Sequence, residues 1–114
     1  MKNTRAVGKK LENYTCETLS NTDRNTKLSN NSGAVSGNGD VINALYVVEC
    51  KKRNTESVKI DKKVWDKLCS SIPIGSSKCP LLVLENENGD RWAVMQLNDF
   101  ERLNGVAYGK TKKS

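Results

Sequence analysis

Apolar and polar positions alternate along this chain with periods that change from segment to segment. Val7, Leu11, Tyr14 and Thr18 fall at three- and four-residue steps, the spacing of one helical stripe, so residues 7 to 19 are expected to form a helix. Residues 20 to 38 are rich in Asn, Thr, Ser and Gly and poor in apolar side chains. That composition describes a long loop, with a short strand near Lys27 and Leu28. The apolar run that follows ends in Val47-Val48-Glu49-Cys50-Lys51 and reads as a hairpin with its turn near residues 43 to 45. Residues 57 to 60 are expected to form a further short strand. Asp61 is placed to cap a helix whose apolar face is Val64, Trp65, Leu68, Cys69 and Ile72, and Pro73 closes it. Residues 74 to 79 read as a loop. Leu81-Leu82-Val83-Leu84 is a continuous apolar run, the mark of a strand buried on both faces. Asn88-Gly89 is a hairpin turn signal. Residues 91 to 97 then alternate, with Trp92, Val94 and Gln96 on one face and Ala93, Met95 and Leu97 on the other. Asn98 is expected to cap a short last helix, 99 to 103, ended by Gly105. Leaving aside the short 27–28 stretch inside the loop, the order is helix, three strands, helix, two strands, helix: an α/β (α+β mixed sheet) chain with a central mixed sheet.

Within that pattern Asp40 and Glu49 stand out. On one straight strand they would lie roughly 30 Å apart, too far to share chemistry. Folded as a hairpin, they return opposite or nearly opposite one another, where like charges about 5 Å apart repel. A shared proton, a basic side chain or a divalent cation must offset that repulsion. Alternation puts Glu49 and Lys51 on one face with Val47, and Val48 and Cys50 on the other. Asp40, Glu49 and Lys51 thus gather at the end of an apolar strand. Two carboxylates suit a hard ion such as Mg²⁺, which keeps waters and takes phosphate oxygens as further ligands. A nearby lysine orients water and steadies developing charge. These three residues are the candidate catalytic set.

Gly39-Asp40 followed by Glu49-Cys50-Lys51 resembles the signature of the PD-(D/E)XK nuclease superfamily. Ser32-Gly33-Ala34 and the early Gly8-Lys9-Lys10-Leu11-Glu12 resemble its Holliday junction resolvase branch, which includes small phage-borne nucleases. The match covers roughly residues 5 to 72 and departs from the pattern in having Gly39, not proline, before Asp40. It implies a restriction-endonuclease-like core, a mixed sheet flanked by helices. It also implies a metal set of Asp40, Glu49, the Cys50 main-chain carbonyl and Glu12, holding Mg²⁺ with Mn²⁺ as a substitute. Arg5, Lys9, Lys10 and Ser32, with Lys52 and Arg53 after the catalytic strand, are then the candidate contacts to DNA phosphates. The branch further suggests a branched DNA junction as substrate. Homing, restriction or nicking activity is the nearest alternative.

Composition bears on the same question. The chain has 114 residues, the length of one domain spanning 1 to 114, and 19 Lys and Arg against 13 Asp and Glu, a formal charge of +6. That excess favours a polyanion such as DNA, branched or duplex. The basic tail, residues 110 to 114, adds attraction without sequence preference. There is no histidine, so Ser-His and Cys-His nucleophilic machinery is excluded, and hydrolysis must lean on carboxylates, lysine and metal. The four cysteines show no C-x-x-C spacing, which argues against a zinc site. No phosphate-loop motif is present, so no nucleotide cofactor is expected. No run approaches the ~20 apolar residues of a membrane span, and no signal peptide is evident, so a cytoplasmic protein is expected. Cutting both strands of a symmetric substrate needs two active sites, and one small domain carries one; a homodimer follows. The alternative from another class is a basic nucleic-acid-binding accessory protein without chemistry.

Overall fold

The computed structural model describes residues 4–29 and 40–107, with side chains described from residue 10 to residue 105 within those spans. Ser32, Gly33, Ala34, Gly39 and the basic tail lie outside the described residues, as do the side chains of Arg5 and Lys9. The elements are α1 (Thr4–Leu19), β1 (Lys27–Leu28), β2 (Val41–Ile42), β3 (Tyr46–Lys52), α2 (Lys62–Ser70), β4 (Cys79–Glu85), β5 (Arg91–Val94) and α3 (Leu97–Ala107). The five strands form one mixed sheet in the order β1-β2-β3-β4-β5. Only β3 and β4 are parallel, joined through α2; every other pair is antiparallel. Such an α+β sheet with helices is the fold class the sequence pattern describes.

Alternation along β3 separates two cores. On one face Leu11 of α1 meets Val41, Val48, Leu81 and Val83, with Tyr46, Cys50 and Met95 packed against them. On the other, Val47, Leu82 and Leu84 meet Leu68 of α2, joined by Val58, Val64, Trp65, Ile72 and Val94. All seven residues of β4 are buried, as a strand covered on both faces requires. Asp61 caps α2: its side chain accepts the Lys63 N–H at 3.0 Å. Cys69 is half-buried and stands outside the α2 cluster. The four cysteines are free.

Two local expectations fail. Residues 57–60 form no strand. The segment instead packs Val58, part-buried, against the α2-side core and leaves Ile60 59% exposed. The second concerns the C-terminal region. β5 stops at Val94, and α3 begins at Leu97, where the Phe100 N–H reaches the Gln96 carbonyl at 3.1 Å. Asn98 is therefore inside the helix, and Gly105 is carried within it instead of ending it.

The turn after β4 is organised by Asn86, which is 1% exposed. Its amide donates to the Glu56 carbonyl at 2.9 Å and to the Asp90 carboxylate at 3.1 Å. Its carbonyl oxygen accepts the N–H groups of Asn88 at 3.0 Å and Asp90 at 2.8 Å. Gly89 closes the turn with a φ of 86°, a conformation that favours glycine. Asn86→Ala strands several of these groups at once and is expected to cost about 2–3 kcal/mol, read as a lower urea midpoint at unchanged slope.

Candidate active site

The hairpin brings Asp40 back to Glu49 because the register pairs Val41 with Val48 and Ile42 with Val47. Its turn is held from outside. The Asn43 amide donates to Thr26 Oγ1 at 2.9 Å while its oxygen accepts the Leu45 N–H at 2.8 Å. The Asp23 carboxylate accepts the Ala44 N–H at 2.8 Å. The turn falls at residues 43 to 45, where the sequence pattern places it, but nothing in that pattern pointed to Asp23 as its partner. The only signal available was the readiness of Asn and Asp to bond nearby backbone in turns.

At the open end of the hairpin the ladder is irregular. The Asp40 N–H donates to the Val48 carbonyl at 2.6 Å, although Val48 already stands opposite Val41. Two residues of one strand against one of the other is the arrangement of a β-bulge, which re-aims a side chain. The Asp40 carbonyl accepts the Ser29 N–H at 3.1 Å, which ties β1 to the same point. Its carboxylate turns inward, and Oδ2 accepts the Cys50 N–H at 2.8 Å.

Asp40 is 7% exposed, and its proton affinity records that setting. Burial pushes the carboxyl up to about 7; the Cys50 N–H opposes this, the Glu49 and Glu12 charges add to it, and Lys51 opposes it. Three carboxylates and a lysine are thus within electrostatic reach of one another. The notion that two facing carboxylates need a proton, a cation or a base between them takes definite form here. Lys51 Nζ lies 3.2 Å from Glu49 Oε2, both side chains part-exposed. Asp40 is more deeply set, and its burial favours the protonated form up to about pH 7.

The remaining expected residues fall into place unevenly. Glu12 sits half-buried beside Leu11, and its charge acts on both Asp40 and Cys50. The Cys50 thiol faces the α1 core, its Sγ 3.6 Å from Thr15 Oγ1. Burial pushes that thiol up to about 12, so it stays protonated and inert as a nucleophile. Lys10 is exposed on α1. Lys52 is engaged elsewhere: its Nζ lies 3.2 Å from Glu85 Oε2 and donates to the Asn86 carbonyl at 2.9 Å. Arg91 completes that group, 3.1 Å from Glu85 Oε1 and 4.0 Å above the Tyr14 ring. The Arg53 N–H bonds the Glu85 carbonyl at 2.8 Å. Lys52 is thus a structural cation in this arrangement, and no local signal marked Glu85 as its partner. Gln96 is exposed at the start of α3 and lies outside the cluster.

Among the described residues, no three Cys, Asp or Glu side chains converge closely enough to hold a metal ion by themselves. The donor set is a pair of carboxylates at a bulge, one of them buried, its proton affinity raised by that burial. That pair fits Mg²⁺, which takes one or two protein carboxylates and draws its other ligands from water and phosphate. No helix among the described residues is long and apolar enough to cross a membrane.

Comparison of the chain with protein-family models, with curated proteins and with solved structures finds no match. The nuclease resemblance therefore rests on the site residues themselves.

Proposed function

We propose that this protein is a Mg²⁺-dependent endodeoxyribonuclease that hydrolyses DNA phosphodiester bonds, with branched junctions as its preferred substrate. The observation that carries this reading is the buried Asp40 carboxyl, aimed by a bulge at the strand bearing Glu49 and Lys51. Asp40 and Glu49 would hold the ion, with the Cys50 carbonyl and Glu12 as the further donors implied by the resemblance. A bound Mg²⁺ supplies Lewis acidity at the phosphoryl oxygen and makes a coordinated water more acidic.

The chain's own residues account for the rest. Asp40 must release its proton before it can bind a cation, so occupancy rises with pH through about 7. Lys51, kept beside Glu49 at 3.2 Å, orients water and steadies negative charge as the phosphate is attacked. Lys10, exposed on α1, and the net charge of +6 favour approach of the DNA backbone. A homodimer would supply the second active site that paired cuts require.

A non-catalytic accessory role remains the second reading, because the Glu49–Lys51 contact is also what a surface ion-pair network would show. Labelled junction and linear duplex, incubated with and without Mg²⁺, separate the two. Cleavage that needs the metal and is lost in Lys51→Ala, with binding kept, supports the enzyme. Binding without cleavage under both Mg²⁺ and Mn²⁺ supports the accessory role. Faster cutting of linear duplex would favour a homing, restriction or nicking activity. Independently of turnover, Mg²⁺ is expected to raise the melting temperature at pH 8 and to have little effect at pH 5, where Asp40 keeps its proton.

A further inference from the structure

β5 is the last strand of the sheet, and among the described residues nothing pairs with its outer edge. Which backbone groups face outward follows from the ladder. Asn86 donates to the Asp90 carbonyl at 3.0 Å, in line with the register that pairs Glu85 with Arg91 and Leu84 with Trp92. Bonded and non-bonded pairs alternate in an antiparallel ladder. Asp90, Trp92 and Val94 therefore bond inward to β4, and Arg91 and Ala93 present their N–H and C=O groups outward.

An open edge is normally guarded by lysine, proline, a bulge or an outward charge. β5 has none of these. Its one charged residue, Arg91, is turned back onto Glu85 and Tyr14. The other side chains are apolar, and Trp92 is 44% exposed. Beside Trp92 lies an open groove of about 460 Å³ whose lining includes Val58, Ile60, Leu84 and Val94. The opposite edge of the sheet, β1, is two residues long and offers far less.

We infer that β5 is the surface through which two copies of this chain pair, as an antiparallel strand addition about a two-fold axis at Ala93. Parity selects that register. A two-fold perpendicular to the sheet keeps each face continuous, so residues that pair must share a face and differ by an even number. With Ala93 on the axis, the two Ala93 residues exchange outward N–H and C=O groups. Trp92 then lies across from Val94 of the partner subunit in a non-bonded pair, where side chains come closest. The two grooves face the seam, and each receives apolar surface from the other copy. The contact is self-complementary, so it closes at two copies and leaves no end on which a filament could grow.

A four-residue strand with Trp92 and the groove rim covers on the order of 500 Å² per copy, short of the roughly 800 Å² of a standard stable interface. The expected dimer is accordingly weak, with a dissociation constant in the micromolar range. The inference stands apart from the nuclease reading, because it uses none of the carboxylate site.

Sedimentation velocity on the full chain, from about 1 to about 300 µM, tests it. The parent is expected to shift from monomer to dimer across that range. Ala93→Pro removes an outward N–H without touching a bond to β4 and should leave a monomer throughout. Ala93→Lys, which places two ammonium groups together on the axis, should do the same if the proline variant fails to fold. Trp92→Ser should weaken the dimer about tenfold or more. A parent that stays monomeric at every concentration overturns the inference. So does a dimer that survives a folded Ala93→Pro or Ala93→Lys variant.

Discussion

Asp40→Asn is expected to abolish cleavage, by at least about a thousandfold, while making the metal-free protein more stable than the parent above pH 7. The two effects have one cause. In the unfolded chain the Asp40 carboxyl ionises near 3.8; in the fold it holds its proton to about 7. Between those values the native state binds more protons than the unfolded state, so stability falls as pH rises. Below about 4 both states are protonated and nothing is lost. Above about 7 the buried, ionised carboxylate remains at its full cost. Asparagine is nearly the same size, can still accept the Cys50 N–H, and carries no charge to bury. The gain at pH 8 is expected to be on the order of 2 kcal/mol and to vanish at pH 4, as urea titrations of parent and variant would show. The stability half of this expectation does not depend on the enzyme assignment. A variant no more stable at pH 8 than at pH 4, relative to the parent, would mean that Asp40 is not strained by burial.

Added Mg²⁺ reverses the comparison. A cation beside Asp40 favours the ionised form, so the parent should recover stability at pH 8 and the Asn variant should not respond. A site whose key group costs stability until its ligand arrives is a common feature of functional positions.

Leu82→Ala carries the largest expected cost to the fold itself. Leu82 is fully buried at the centre of β4 and packs with Val47, Leu68 and Leu84. Truncating such a residue removes apolar contact and leaves a cavity that the sheet cannot close, at about 3–4 kcal/mol. Small domains are stable by about 5–15 kcal/mol in all, so the melting temperature should drop by roughly 15 °C. The register also places Leu82 beside Glu49 on the parallel strand. A cavity there loosens the support under the site, so activity should decline at temperatures where the variant is still folded. Leu82→Met, which keeps the volume, should restore most of both.

Much of the site was legible because it depends on short-range rules. Eight residues between Asp40 and Glu49 leave room for a hairpin but not for a straight strand. Strict alternation then assigns Glu49 and Lys51 to one face whatever lies above it. The helix cap at Asp61, the doubly buried run in β4 and the turn at Gly89 follow equally from neighbours a few residues away.

What the sequence by itself determined about this protein is the hairpin, the helix after Asp61, the buried strand β4, and the face on which each β3 side chain lies. Tertiary structure decided the rest. Residues 57–60 do not pair as a strand, because Val58 packs against side chains of α2, β4 and β5 that come from distant parts of the chain. Whether Lys52 faces DNA or a buried glutamate depended on the parallel register that sets Lys52 beside Glu85, 33 positions further along the chain. The proton held by Asp40 depended on how deeply a bulge and the packed elements around it bury one carboxylate. Alternation and capping are properties of adjacent residues; desolvation and pairing are properties of whatever distant chain arrives to cover them.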